Sequence, residues 1–271
     1  MVQQPYVPSP AIEYPETDGQ PMTESDATRT YMIYCIAALR SFFQGQPQIY
    51  VSGNLFIYYE EGNPTQNISP DVFVIFGVSK RARRSYKTWQ EGGKLPSFVL
   101  ELTSKTTRKQ DEETKPLLYS QLGIQEYFQY DPTGDYLRSQ LKGQTLVNGA
   151  YQLITPQTLP DGSITIASQV LGLELRLLPL SNKSFLPSPV GPIARELRFF
   201  DPRTGTQLLT YDESEQSRIQ AEQAIGEAQH RAEQAEQRAN EERQRAAEEQ
   251  QRAERLAVHL RSLGVDPDTL I

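Results

Sequence analysis

Histidine and cysteine are nearly absent. The 271 residues hold two histidines, His230 and His259, and one cysteine, Cys35. Both histidines fall in a charged C-terminal tail, so inventory excludes a Ser-His-Asp or Cys-His arrangement elsewhere in the chain. One cysteine permits no intrachain disulfide and fits a reducing compartment. It also argues against a structural zinc site. Met32, Ile33 and Ile36 around Cys35 predict a buried, inert thiol in a helix. There is no Walker-type phosphate loop and no G-x-G-x-x-G. No apolar run reaches the length of a membrane span, and no basic-then-apolar leader opens the sequence, so we expect a cytoplasmic protein without membrane contact. Carboxylates, lysines and hydroxyls remain as the available chemistry.

Hydrophobic residues make up only 37% of the chain, and the net charge is −7. The tail explains both. Asp212 to Ser262 carries 12 acids against 8 arginines and so accounts for four of those seven charges. The remainder is mildly acidic, which neither suggests nor excludes a nucleic-acid partner.

Composition predicts four parts: a proline-rich extended arm at 1–22, a globular domain at 23–210, a charged alanine-rich helix or coiled coil at 211–263, and a short tail at 264–271. Thr23 to Gln44 reads as the first helix, capped by Thr23 or Ser25, with Glu24 and Asp26 in the first turn. Gln48 to Ser52 and Leu55 to Glu60 read as strands joined by a tight Gly53-Asn54 turn. Asp71 to Phe76 and Ser97 to Leu102 are continuous apolar runs, as in strands covered on both faces. A helix follows, ending at Gly123 and interrupted or opened by Pro116. Then come a strand at Glu126 to Tyr130 and a meander of short strands to about Phe200. In the tail, residues from Ala221 to Leu263 recur at alternating spacings of four and three. They are mostly alanine and include Glu242 and Glu249. This heptad seam fits a self-associating coiled coil or a lone helix laced with charge pairs.

Two acids stand out. Glu101 interrupts the apolar run Phe98-Val99-Leu100, where an unpaired charge is costly. Asp71 opens the other run. Acids on neighbouring strands, with a lysine soon after, make a hard-cation site with a positive helper. The plainer readings are a strand-start residue for Asp71 and a buried ion pair, with Lys115 or an arginine, for Glu101. Asp111, Glu112 and Glu113 read as charge near a helix start. Between the acids, Lys80-Arg81-Ala82-Arg83-Arg84-Ser85-Tyr86-Lys87 reads as an exposed basic loop. It is either a solvated face or a set of phosphate contacts.

Several blocks in fixed order carry a family resemblance. They are Ser69-Pro70-Asp71-Val72-Phe73-Val74, then Phe98 to Thr107, then Lys115 and Tyr119, then Leu122 to Phe128 ending in Asp131-Pro132. Over residues 20 to 205 the chain resembles the Uma-type family of putative restriction endonucleases, abundant in cyanobacteria. The resemblance implies a PD-(D/E)xK nuclease fold, a mixed central α/β sheet flanked by helices, with Asp71 and Glu101 as metal-binding acids. The wider superfamily places a lysine two residues after the second acid. That position is Thr103 here, and Lys115 matches the substitute lysine on the following helix. Two positions depart from the family pattern: Thr28 stands where a histidine is common, and Pro116 follows Lys115.

The implied activity is Mg²⁺- or Mn²⁺-dependent hydrolysis of DNA phosphodiesters. Asp71, Glu101 and the Leu102 backbone carbonyl would hold the metal, and Lys115 would orient water or stabilise charge. Lys105, Arg108, Lys80, Arg81, Arg83, Arg84 and Lys87 would hold the nucleic-acid backbone, and Glu24 would be an extra acid. Two other readings are a nuclease-fold protein acting on RNA or branched nucleic acid, and a catalytically impaired scaffold that assembles through its C-terminal coiled coil. The expected partners are DNA and a second copy of the chain, as a homo-oligomer (dimer) through the core, residues 221–263 or both.

Overall fold

The computed structural model describes residues 12–17, 25–179 and 195–264. Most of the expected arm, and Glu24 with it, lies outside the described residues. The chain divides into two compact units, Met1–Tyr211 and Asp212–Ile271.

The first unit opens with helix α1 (Asp26–Phe42). Ser25 caps it, its side chain accepting from the Thr28 N–H. The strands are β1 (Ile49–Ser52), β2 (Ile57–Tyr58), β3 (Asn67–Ile68), β4 (Val72–Phe76), β5 (Tyr86–Lys87), β6 (Phe98–Leu102), β7 (Glu126–Tyr130), β8 (Leu141–Val147), β9 (Ala150–Leu153), β10 (Gln157–Thr158), β11 (Ile164–Ser168), β12 (Leu173–Leu178), β13 (Glu196–Asp201) and β14 (Thr206–Gln207). Helix α2 (Lys115–Gln121) lies between β6 and β7.

The central sheet has the order β1-β4-β6-β7-β8-β9. Only β6 and β7 run parallel, as their crossover through α2 requires; the other neighbours are antiparallel. Alternation along the strands divides the core. Phe98, Leu100 and Leu102 pack with Tyr31, Cys35 and Leu39 of α1 and with the antiparallel sheet β10-β11-β12-β13-β14. Val99, Phe73 and Ile75 face the other way, toward Tyr119 and Tyr127. Both faces are covered, which is why β4 and β6 read as unbroken apolar runs.

Gly53-Asn54 does not close a hairpin. Strand β1 pairs with β4, while β2 belongs to a separate sheet, β3-β2-β5. Glycine is needed at 53 because a Cβ there would lie 2.0 Å from the Asp71 carbonyl oxygen. Asn54 donates its N–H to the Pro70 carbonyl at 2.9 Å, so this turn grips the chain just before Asp71. The presumed loop at 80–87 also ends in structure, since Tyr86 is buried in β5.

The second unit consists mainly of helix α3 (Tyr211–Ser262), 52 residues and about 78 Å at the usual rise. None of its residues is buried. Local pairs such as Arg218 with Glu215 at 2.9 Å support it. Among the described residues no helix is long and apolar enough to cross a membrane.

Candidate active site

The register of β4 against β6 pairs Val72 with Leu100 and Phe73 with Val99. Continued by one residue, it sets Asp71 opposite Glu101. Alternation turns both side chains to the α2 face, the face of Phe73 and Val99. Like charges in directly opposed positions destabilise a sheet, so structural need alone does not account for this pair.

Each carboxylate is held. Asp71 Oδ2 accepts from the Leu102 N–H at 2.7 Å, and the Asp71 N–H lies 3.4 Å from Glu101 Oε2. Glu101 is fully buried. Its Oε1 accepts from the Tyr119 hydroxyl at 2.6 Å, and its Oε2 lies 2.9 Å from Lys115 Nζ. The same ammonium lies 2.7 Å from Oδ1 of Asp111, which is also fully buried. One lysine therefore stands among three acids.

Pro116 does not turn Lys115 away, contrary to what its sequence position suggests. The backbone widens into a π-turn at Gln110–Thr114, and Lys115 keeps helical angles (φ −62°, ψ −42°). The Lys115 N–H donates to the Gln110 carbonyl, five residues back. The matching donor for the Asp111 carbonyl would be residue 116, but proline has no N–H. Tyr127 Oη and Gln129 Nε2 donate to that carbonyl instead, at 2.8 and 2.9 Å. The proline thus fits a π-turn of the kind common at functional sites, and the turn directs both Asp111 and Lys115 inward. Asp111 is more than charge at a helix start. Sequence offered one signal for it, the four-residue spacing to Lys115.

Electrostatics follow from this crowding. Burial, and then the nearby Glu101, push the Asp71 carboxyl well above its ordinary range. Burial raises Asp111 as well, against the pull of Lys115. Burial opposes charge on Lys115, but Glu101, Asp111 and Asp71 outweigh it and hold its pKa above that of a free lysine. Burial and Glu101 raise the Tyr119 hydroxyl. Two of the three carboxyls are thus pushed toward their protonated forms despite the lysine beside them.

Other buried acids are satisfied differently. Asp131 accepts from the N–H groups of Thr133 and Leu137, both at 2.9 Å. Glu126 accepts from Gln169 N–H at 2.8 Å and from the Ser168 hydroxyl. Both brace turns. Glu196 and Asp201 pair with Arg198 and Arg203 at 2.7 and 2.8 Å, and among the described buried acids only those of the Asp71 cluster face a lysine. The cluster opens through Asp71 into a cleft of about 250 Å³, whose walls include Ser25 and Thr28 of the α1 start, Leu102, Thr103 and the Ser104–Thr107 turn.

The basic residues are dispersed. Lys105 lines the cleft. Arg108 sits 3.5 Å from Glu112 at the surface. The 80–87 loop follows the far end of β4, about 17 Å from Asp71 by strand rise. Lys80 Nζ caps the C-terminal end of α1, at 2.6 Å from the Phe43 carbonyl and 3.0 Å from that of Gln44. Arg81 and Arg83 share Glu91, at 2.5 and 2.9 Å. Arg83 is only 5% exposed and lies over the Tyr50 ring. Arg84 lies 3.4 Å from Glu16, and Lys87 lies over Tyr14. Lying between the acids in sequence does not bring this loop to them in space.

Hard oxygen donors suit a magnesium-like ion, which uses one or two carboxylates and keeps its waters. Among the described residues no group of three or more His, Cys, Asp or Glu is placed to hold a metal. Asp71, Glu101 and the Leu102 carbonyl fit the leaner donor set.

The model of a family described as Uma2, putative restriction endonuclease, matches residues 4–180. A crystal structure described as a putative nuclease belonging to DUF820, from Anabaena variabilis, is similar at 13% identity, over 58% of this chain and 81% of that one, with a TM-score of 0.39. No curated protein matches.

Proposed function

The chain belongs to the Uma2 putative restriction endonuclease family, and on that premise we propose that it is a Mg²⁺- or Mn²⁺-dependent endonuclease that hydrolyses DNA phosphodiesters. The observation that carries this reading is the convergence of two opposed carboxylates, Asp71 and Glu101, with one partly buried lysine at the end of the central sheet.

Asp71, Glu101 and the Leu102 carbonyl would hold the metal, which when bound activates water and offsets phosphate charge. The Leu102 N–H fixes Asp71, and the Tyr119 hydroxyl fixes Glu101. Lys115, kept charged by its acids and 22% exposed, turns its ammonium toward the attacking water or the phosphate oxygens. Lys105, at the cleft, and Arg108 would hold the DNA backbone without reading its sequence. Lys80, Arg81, Arg83, Arg84 and Lys87 have local partners and would meet only DNA that extends beyond the cleft.

A second reading, a catalytically impaired scaffold, draws on α3. Its alanine seam is fully exposed, as a surface awaiting another helix would be.

Incubating purified protein with supercoiled and linear DNA in Mg²⁺ or Mn²⁺, beside Asp71→Ala and Glu101→Ala, tests the proposal. Cleavage by the parent and none by either variant is expected. Equal cleavage by all three, or none by the parent, would remove the enzyme reading.

A further inference from the structure

Thr103 continues β6 by one residue. Two positions beyond Glu101, it projects to the same face of the strand. Its N–H is taken by the Tyr130 carbonyl at 2.8 Å. The side chain is only 1% exposed, and its Oγ1 has no hydrogen-bond partner among the described residues. Buried hydroxyls are rarely left so, and each exception asks for an explanation.

The neighbours sharpen the point. Thr103 lines the cleft beside Asp71, and the other serine and threonine hydroxyls of that cleft are occupied. Ser25 and Thr28 bond each other at 2.9 Å. Ser104 bonds Thr106 and Thr107, each at 3.1 Å. Thr133 donates to Asp131 at 2.8 Å. Among the described serine and threonine hydroxyls of the cleft, only that of Thr103 is without a partner. The cleft also receives the N-terminus of α1, 17 residues long, whose dipole favours an anion there. Lys105 adds a positive charge at the rim.

We infer that Thr103 is a substrate-contacting residue: its hydroxyl donates to a non-bridging oxygen of a phosphodiester seated between the start of α1 and the Ser104–Thr107 turn. This deepens the proposed nuclease function and rests on it for the identity of the ligand. A hydroxyl donates one neutral hydrogen bond without adding charge beside Glu101, so it binds the phosphate without competing for the acids.

Thr103→Val removes the hydroxyl at constant shape, and Thr103→Ser restores it. The probe is a fluorescent DNA duplex, its binding followed by anisotropy in Ca²⁺ and its cleavage in Mg²⁺ or Mn²⁺. Thr103→Val should bind about tenfold more weakly, the size of one hydrogen bond to a charged group. Thr103→Ser should stay within about threefold of the parent. Because no protein bond is lost, the urea midpoint of Thr103→Val should equal or exceed that of the parent. Unchanged binding and cleavage in Thr103→Val, with cleavage lost in Asp71→Asn, would overturn the inference and leave the nuclease reading standing. Binding lost in Thr103→Val by a parent that never cleaves would support the contact and overturn hydrolysis. A lower urea midpoint for Thr103→Val would make the hydroxyl structural, and no duplex binding by the parent would also overturn the contact.

Discussion

Asp71→Asn should make the folded chain more stable while removing its proposed metal chemistry. Asn presents the same oxygen to the Leu102 N–H, which donates to Asp71 Oδ2 at 2.7 Å, so the local geometry survives. What goes is a charge set opposite Glu101 in the β4–β6 register. Opposed side chains lie about 5 Å apart, and two unit charges at that distance repel by about 3 kcal/mol at an effective dielectric near 20. Lys115 offsets part of this, and a weaker hydrogen bond to Leu102 costs about 1 kcal/mol. The net expectation is a gain of about 1 kcal/mol without divalent ions, or about 0.5 M in the urea midpoint. The pH dependence has a definite sign. Burial and Glu101 raise the Asp71 pKa above its ordinary 3.8, so the folded chain holds this proton more tightly than the unfolded chain. Stability is therefore lost as pH rises from about 4 through the raised value, and the Asn variant escapes that loss. The advantage of the variant should be absent near pH 4 and grow as pH rises through the raised pKa of Asp71. The assay is urea unfolding in EDTA, followed by the fluorescence of Trp89, the only tryptophan. A variant less stable than the parent at pH 8, or an advantage independent of pH, would refute the reasoning.

Four further outcomes are expected. Lys115→Met should cost about 3 to 5 kcal/mol in urea unfolding, because it strands two buried carboxylates; a loss under 1 kcal/mol would show that the acids find another counter-charge. Gly53→Ala should cost about 1 to 3 kcal/mol by forcing the turn off the Asp71 carbonyl, and unchanged stability would deny that close approach. Tyr119→Phe should weaken Mn²⁺ binding, measured by calorimetry, about tenfold through a freed Glu101; unchanged affinity would make that hydrogen bond incidental. Replacing both Glu242 and Glu249 with leucine should produce a larger species in sedimentation by completing the apolar seam of α3, and an unchanged mass would mean the seam is not a contact surface.

The placement of Asp71 and Glu101 was legible because two local facts sufficed: strand alternation, and the cost of a carboxylate inside an apolar run. The succession of β6, α2 and β7 was legible from the apolar run at 97–102, the glycine stop at 123 and the strand at 126–130; that β6 and β7 pair in parallel was not. Asp111 was not legible. Its burial depends on Pro116 lacking an N–H and on Tyr127 and Gln129, distant in sequence, completing its carbonyl. Gly53 looked like a hairpin residue because a turn and a close backbone approach leave the same glycine. Strand β8 escaped notice because its apolar residues, Leu141, Leu146 and Val147, are few and only Leu141 is deeply buried. The 80–87 loop was read as a solvated face or a set of phosphate contacts between the acids in sequence; β4 carries the chain away from Asp71, so that order did not become proximity.

The most direct measurement of the central claim is Mn²⁺ binding by isothermal titration calorimetry to the parent, Asp71→Asn and Glu101→Gln. The account predicts a saturable site in the parent that is lost in each variant separately. Saturable binding that persists in either variant would contradict a metal held jointly by the two acids.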